Sequence, residues 1–305
     1  MGNGNRDFNY NDYDAVNINT RIRNSNDSVK ASQIDMDINS FLESVLKNYN
    51  SRDVEAIRKH LDEIENVLSN NINELEKILY GGSVSKNTYI EGLSDIDALV
   101  ILDSDIEGLI SPSDLQDIFY KLLVNRFPKS EIKKGALAVT IKFDDYEVQL
   151  LPALKKNDKL IIAASNKDGW SNPINSKLFT NALTSINKSN NNKVIPVIKL
   201  TKSLLNNLPE KFQLSGYHIE SLAVEAFKNY SGKVTLYDMT KHLLTTIETR
   251  VLTPMIDKTG QSGIIDSYLG AYRSNIRQQT SRHIKSINGR FSNSSSVDIF
   301  KTFFD

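Results

Sequence analysis

Four residues in the first half of the chain have the types and the order that binding a triphosphate with its metal ions requires. Gly82 and Ser83 follow an apolar segment that ends at Tyr80, and Asp95 and Asp97 come shortly after them. A glycine pair followed by a serine forms a turn where the backbone can approach a ligand closely, and backbone amides in such a turn can hold phosphate oxygens. The sequence therefore predicts a phosphate-binding turn at Gly82 and Ser83.

The two aspartates alternate around Ile96 at the start of an apolar run that continues to Leu102. Alternate residues of a strand point to the same face, so both carboxylates are expected on one rigid surface. Mg²⁺ takes hard oxygen ligands from protein carboxylates and phosphates together. Each part alone is common, since Gly-Gly-Ser is usually a loop and Asp-x-Asp usually caps a turn or lies on a solvated face. Together they provide groups that suit a triphosphate with its metal ions, which would neutralise charge on a transferring phosphoryl group.

Apolar periodicity indicates which elements position these residues. Helical spacing predicts helices over 38–49 and 54–79, and Pro112 begins another that extends to Arg126. Two segments, 138–143 and 146–151, predict a β-hairpin, and 159–164 predicts a further strand. From residue 176 the pattern is helical, so a mixed α/β first half precedes a helical second half.

Composition narrows the class of protein. The 305 residues are 39% hydrophobic, with 37 basic and 37 acidic residues and no cysteine. The equal numbers of basic and acidic residues exclude an overall positive electrostatic field for binding nucleic-acid phosphates. The absence of cysteine excludes disulfides and thiolate metal ligands. No apolar run approaches the roughly 20 residues of a membrane helix, so no membrane partner and a cytoplasmic location are expected. Residues 1–34 are polar and predict a flexible N-terminal arm.

The chain resembles the DNA polymerase β-like nucleotidyltransferase superfamily, whose signature places Gly-Ser about a dozen residues before Asp-x-Asp. Within it, the segment Leu150-Leu151-Pro152-Ala153 and the later Ser215-Gly216-Tyr217 resemble the oligoadenylate synthetases, cGAS and above all the bacterial CD-NTases. The resemblance implies an α+β fold, with a polymerase β-like core containing a mixed sheet and a helical domain. We expect the arm at 1–34, the core at 35–170, the helical nucleotide-binding domain at 171–290 and a tail at 291–305.

The resemblance also implies roles for particular residues. Asp95 and Asp97 would hold two Mg²⁺ or Mn²⁺ ions, while Gly82 and Ser83 hold the triphosphate. Four later residues match positions around the bound nucleotide. They are two basic residues facing the phosphates, Lys199 and Lys202, and two hydroxyl-bearing residues, Ser215 and Tyr217. The alternatives that remain are a solvated helix face for the lysines, a helix cap for Ser215 and core packing for Tyr217.

One position departs from the family pattern. Three residues before Pro152, where an aspartate is expected as third metal ligand and base, this chain has Gln149. A neutral amide can offer an oxygen to a metal but cannot accept the proton of a 3′-hydroxyl. Glu147 lies on the same face of the strand, so we expect Glu147 or a metal-bound water to take part of the role.

The resemblance implies synthesis of a cyclic di- or trinucleotide second messenger from nucleoside triphosphates, with ATP and/or GTP as the expected substrates. It further implies anti-phage (CBASS-type) signalling through a separate effector that binds the product. Two alternatives remain open: a weak or silent nucleotide-binding protein, because of Gln149, and nucleotide transfer to RNA or protein. An RNA track would use five basic residues, whose alternative role is a solvated basic helix: Arg273, Arg277, Arg282, Lys285 and Arg290.

Overall fold

The computed structural model describes residues 14–49, 54–90, 95–144, 146–156, 159–164, 169–171, 176–257, 263–294 and 296–304. Across these ranges the chain is an α+β protein in which a six-stranded mixed sheet precedes a helical half, so the predicted fold class is confirmed. No helix in the described ranges has the length and apolar character needed to cross a membrane.

Strands and helices follow one another along the described residues. The strands are β1 (Leu75–Tyr80), β2 (Ile96–Asp103), β3 (Glu131–Lys134), β4 (Val139–Lys142), β5 (Glu147–Lys156) and β6 (Lys159–Ile162). The helices are α1 (Asp14–Tyr49), α2 (Val54–Ser69), α3 (Gly82–Ser85), α4 (Pro112–Arg126), α5 (Ser176–Ser189), α6 (Val194–Asn206), α7 (Gly216–Phe227), α8 (Leu236–Arg250), α9 (Asn275–Ser292) and α10 (Val297–Lys301).

The sheet has the strand order β1-β2-β5-β4-β3, and β6 pairs with the C-terminal part of β5, residues 153–156. Strands β2 and β5 run parallel and place Asp97 beside Gln149, whereas the other pairs are antiparallel. A parallel pair requires a crossover connection, and here α4 and the β3–β4 hairpin provide it. The predicted hairpin of β4 and β5 and the predicted helix from Pro112 are both confirmed.

Strand β1 corrects the prediction of a helix continuing to residue 79. Helix α2 ends at Ser69, and after a turn the chain pairs with β2 in antiparallel register. In the strand Ile78 is buried and Leu79 is exposed, the reverse of what the helical stripe requires. The central strand β2 needs hydrogen-bond partners on both edges, and this pairing outweighs a local spacing that also fits a helix.

Helix α1 runs across the predicted boundary between the arm and the core. The part of the predicted arm that the structure describes is helical from Asp14, and its residues 23–33 are exposed. Further along, Ile38, Leu42 and Leu46 recur every fourth residue and are buried in the helical half. These buried residues of the segment 35–170 therefore pack in the apolar cluster of the helical half.

The C-terminal segment also crosses a predicted boundary, the one at 290/291. We predicted a separate tail at 291–305, but Phe291, Phe300 and Phe303 are buried in the apolar cluster of the helical half. Their rings contact one another, with Phe291 and Phe300 at 4.8 Å between centroids. Aromatic side chains bury large apolar areas, so these three residues fasten the described part of the segment to the domain.

Candidate active site

The turn after β1 is built around a position where only glycine fits. Gly82 has φ +52°, and a Cβ atom there would lie 1.6 Å from the Asp97 Oδ2 atom. The preceding Gly81 amide donates a hydrogen bond of 2.8 Å to the Asp97 carbonyl. The turn is therefore fixed to strand β2 by its backbone, and the carboxylate of Asp97 packs directly against it.

Ser83 is buried at the first turn of the short helix α3. Its hydroxyl donates a 3.4 Å hydrogen bond to the backbone carbonyl of Asp95, and its own carbonyl accepts one from the Thr88 amide at 2.9 Å. The structure thus brings the predicted Gly82, Ser83, Asp95 and Asp97 together in one place.

The two carboxylates share an environment that favours a bound cation. Burial, followed by the charge of Glu147, raises the pKa of Asp95, and a hydrogen bond from Gln149 partly opposes this. Burial and then Asp95 raise the pKa of Asp97, with Glu220 adding to the rise and Lys86 and Lys202 opposing it. A raised pKa means that the protein disfavours the ionised form, and a divalent cation between the carboxylates would relieve this.

Gln149 takes the third position on the same face of the sheet. It is the register partner of Asp97, and its Nε2 atom donates a 2.5 Å hydrogen bond to Asp95 Oδ2. Among the described residues no group of three or more His, Cys, Asp or Glu side chains could hold a metal. The carboxylates of Asp95 and Asp97 still fit Mg²⁺ when triphosphate oxygens complete the set, whereas Gln149 directs its amide nitrogen toward Asp95.

Glu147 lies at the beginning of β5, near enough to Asp95 to raise its pKa. Its carboxylate is also 3.8 Å from Lys142 Nζ on the paired strand. The structure therefore places Glu147 at the edge of the carboxylate cluster, shared between the site and a surface ion pair.

Opposite the carboxylates lies a buried ion cluster that the sequence did not predict. Glu220 of α7 pairs with Lys86, which follows α3, and with Lys202 of α6, at 2.9 Å in the second pair. Lys202 Nζ also donates to the Thr88 carbonyl at 3.2 Å. Although burial raises the pKa of Glu220, Lys202 and then Lys86 outweigh it and hold that pKa below its ordinary value.

The remaining predicted nucleotide-binding residues lie on the helical side. Lys199 is buried on α6, one turn before Lys202. Ser215 is the N-cap of α7, where its hydroxyl accepts from the His218 amide at 3.2 Å. The Tyr217 hydroxyl donates to Asp257 at 2.9 Å, and its ring lies 4.9 Å from that of Phe179. Their contacts with a nucleotide remain predictions.

A second buried network of polar and charged side chains includes His218 of α7. It also contains one residue of the predicted RNA track. Arg277 is fully buried and pairs with Asp266 at 2.7 Å, so it is not available to a polyanion. Asp266 in turn lies 3.5 Å from His218, whose ring nitrogen is 3.0 Å from the Tyr268 hydroxyl. Burial lowers the pKa of His218 to about 4, with Asp266 opposing and Arg277 and Arg250 adding to the fall.

Two of the residues missed by sequence reasoning left a detectable signal. Glu220 is an acidic residue within the largely apolar helix α7, and a charge on a buried helix face requires a partner. Lys86 follows the short helix that begins at Gly82, so its distance from the glycine turn is fixed by local structure. Their pairing crosses 134 residues, a separation over which periodicity carries no information.

Comparison with known proteins identifies the family. Residues 33–187, half of the chain, match the Second Messenger Oligonucleotide or Dinucleotide Synthetase domain. None of the curated proteins matches the sequence.

Solved structures share the fold. CdnC of E. coli MS115-1, solved with ATP, has a TM-score of 0.64 at 15% identity, covering 87% of this chain and 96% of its own. Vibrio cholerae DncV cyclic AMP-GMP synthase, solved with nonhydrolysable GTP, has a TM-score of 0.61 at 12% identity, covering 95% and 90%. The CD-NTase CdnG of Bradyrhizobium diazoefficiens, solved with GTP, has a TM-score of 0.60 at 10% identity, covering 84% and 91%. This chain belongs to the Second Messenger Oligonucleotide or Dinucleotide Synthetase family, the bacterial CD-NTases.

Proposed function

We propose that this chain joins nucleoside triphosphates into a cyclic di- or trinucleotide and releases pyrophosphate. The observation that carries the proposal is the convergence of opposite charges around one glycine turn. Asp97 packs against Gly82, and the charges of Lys86 and Lys202 act on the same carboxylate from the helical side. Paired carboxylates for metal ions and ammonium groups for phosphates are the components that nucleotidyl transfer needs.

Each residue has a defined task in this proposal. Asp95 and Asp97 would hold two Mg²⁺ or Mn²⁺ ions, which would supply positive charge to neutralise the transferring phosphoryl group. The Gly82–Ser83 turn and Lys202 hold the triphosphate. Ser215 and Tyr217 orient the ribose and base, with Lys199 on the same helix as Lys202. This arrangement aligns the 3′-hydroxyl of one nucleotide for in-line attack on the α-phosphorus of another.

The proton of the attacking hydroxyl requires an acceptor, and Gln149 is neutral. We assign part of this role to Glu147, since its carboxylate lies on the same strand face and acts on Asp95. Glu147→Ala should then lower the rate of product formation more at low pH than at high pH, where hydroxide is available. A wild-type rate across the whole pH range would remove Glu147 from the mechanism.

We propose ATP and/or GTP as substrates, in agreement with the nucleotides present in the structures of the relatives. The product is proposed to act on a separate effector in an anti-phage, CBASS-type response in the cytoplasm. CdnC of E. coli MS115-1 has also been solved in a complex with HORMA-deltaN, and that complex is an assembly of the relative.

The test is incubation of the purified protein with every combination of labelled ATP, GTP, CTP and UTP, in Mg²⁺ or Mn²⁺. Phosphatase-resistant products are then identified by mass spectrometry. Asp95→Ala/Asp97→Ala serves as the inactive control. A cyclic product that disappears in this variant would support the proposal and identify the bases.

Two other outcomes correspond to the alternative functions. Triphosphate binding without any product would favour a silent or weak site, as the hydrogen bond from Gln149 to Asp95 suggests. Label transferred to added RNA, or to a protein, would favour a macromolecular acceptor. For RNA, the burial of Arg277 leaves a shorter track of exposed basic residues: Arg273, Arg282, Lys285 and Arg290.

A further inference from the structure

Glu220 makes contacts from both of its carboxylate oxygens while being only 1% exposed. Oε2 accepts from Lys86 Nζ, and Oε1 accepts from Lys202 Nζ at 2.9 Å and from the Thr88 hydroxyl. One carboxylate thus fixes two ammonium groups whose long side chains would otherwise be free to sample many rotamers.

The three partners come from different parts of the molecule. Lys86 and Thr88 follow the glycine turn of the sheet half, while Lys202 and Glu220 lie on neighbouring helices of the helical half. Glu220 therefore sets where the cations of both halves lie relative to Asp97, whose pKa responds to both of them.

Lys86 also extends the cluster toward the region assigned to the base. Its ammonium group lies 5.2 Å from the centre of the Phe179 ring and 5.4 Å from that of Tyr217. A lysine held between a carboxylate and two aromatic faces has a defined position, because cation–π attraction adds to the ion pair. Lys86 thus connects the ion cluster at Glu220 with Tyr217, the residue assigned to the ribose and base.

Stability alone does not account for such a cluster. Burying charges carries a large desolvation cost, and replacing a buried ion pair with apolar residues is often neutral or stabilising. The two ammonium groups outnumber the one carboxylate that they contact, and both also act on Asp97 of the candidate site.

We propose that Glu220 is a positioning residue that holds Lys86 and Lys202 for the triphosphate, and that Lys86 is itself a phosphate-binding cation. The inference rests on the proposed function, because it takes a nucleoside triphosphate as the ligand. When the triphosphate binds, its oxygens share the two ammonium groups with Glu220. The lysines are then already ordered, and less conformational entropy is lost on binding.

Glu220→Asp tests positioning separately from charge. The shorter side chain keeps the negative charge but cannot reach both lysines. We expect the Kd for Mg²⁺-tripolyphosphate, and for nonhydrolysable ATP and GTP analogues, to rise about tenfold, while the Kd for adenosine and guanosine stays unchanged. Glu225→Asp is the matched control, because Glu225 lies on the same helix in an exposed ion pair with Arg250.

Lys86→Met provides a second variant, because it leaves Glu220 paired with Lys202 and should weaken only the phosphate-bearing ligands. Calorimetry on proteins whose thermal midpoints have been measured gives the readout. Unchanged triphosphate affinity in both variants would overturn the inference, as would an equal loss for triphosphates and nucleosides. Absence of cyclic product from the wild-type protein bears on the proposed function alone, since these binding measurements need no turnover.

Discussion

The carboxylate of Asp97 occupies the space that a side chain at residue 82 would fill, because a Cβ atom on Gly82 would lie 1.6 Å from its Oδ2 atom. The glycine and the aspartate are therefore one structural unit. A side chain at residue 82 would displace the Asp97 carboxylate, although 14 residues of sequence separate the two positions.

Gly82→Ala should lower the rate of product formation about 100-fold or more, since a shift of about 1 Å in a catalytic group has an effect of this size. The positive φ of Gly82 adds backbone strain. Gly81→Ala is the control, because a Cβ atom at Gly81 would meet only the Asp97 carbonyl, at 4.0 Å. Steady-state rates of both variants give the measurement, and equal rates would show that the close packing has no role.

Asp97→Asn should raise the thermal midpoint of the metal-free protein by about 2 °C or more. Burial and the neighbouring Asp95 raise the pKa of Asp97, so its charge destabilises the folded state at neutral pH. Mg²⁺ with tripolyphosphate should stabilise the wild type and not the variant. Asp144→Asn, at an exposed hairpin residue, is the control, and a lower midpoint for Asp97→Asn would contradict this account.

Gln149→Asp should increase product formation about tenfold and lower the metal-free thermal midpoint. The new carboxylate would lie beside Asp97 in register and would face Asp95. In the wild type, Asp95 accepts a hydrogen bond from the Gln149 amide. Metal ions neutralise the added charge, whereas without them the carboxylates repel one another. Gln149→Asn has the same length without the charge, so equal activity of the two variants would show that charge at this position is not limiting.

His218 should make the protein sensitive to acid. Its pKa falls from an ordinary value of 6.5 to about 4 in the folded protein, so the unfolded state binds more protons between these values. Stability is therefore retained above pH 6.5 and falls as the pH decreases toward 4. Between pH 7 and pH 5 the loss amounts to about 1 to 2 kcal/mol.

Urea unfolding at the two pH values, on the wild type and on His218→Gln, measures this loss. The difference between pH 7 and pH 5 should be smaller in the variant by about the same amount, whatever its absolute stability. His283→Gln is the control, because His283 is exposed on α9. Parallel pH dependence of the wild type and His218→Gln would exclude the buried imidazole as the cause.

The position of the two carboxylates and the glycine turn in the candidate site could be predicted because its determinants are local. Gly82, Ser83, Asp95 and Asp97 lie within one short segment, and the alternation of a strand alone places both carboxylates on one face. The opposite half depends on tertiary pairing. The spacing of residues near Glu220 does not show that its partners are Lys86 and Lys202.

The errors in the predicted elements have the same origin. Leu75 and Leu79 fit a helical stripe, and only the presence of β2 alongside makes their segment a strand. Helix α1 carries an apolar stripe that suits either half of the protein, so its assignment required knowledge of which half it contacts.

The parallel pairing of β2 with β5 also fixes the order in which the site can form during synthesis. Asp95 and Asp97 leave the ribosome early, but their neighbour Gln149 arrives about fifty residues later, after α4 and the β3–β4 hairpin. Long-range parallel pairing forms slowly, because the intervening loop must close before the contacts stabilise it. A nascent chain that ends before β5 consequently lacks the hydrogen bond from Gln149 to Asp95 and has an unpaired edge of β2, so it has no complete site with which to bind nucleotide.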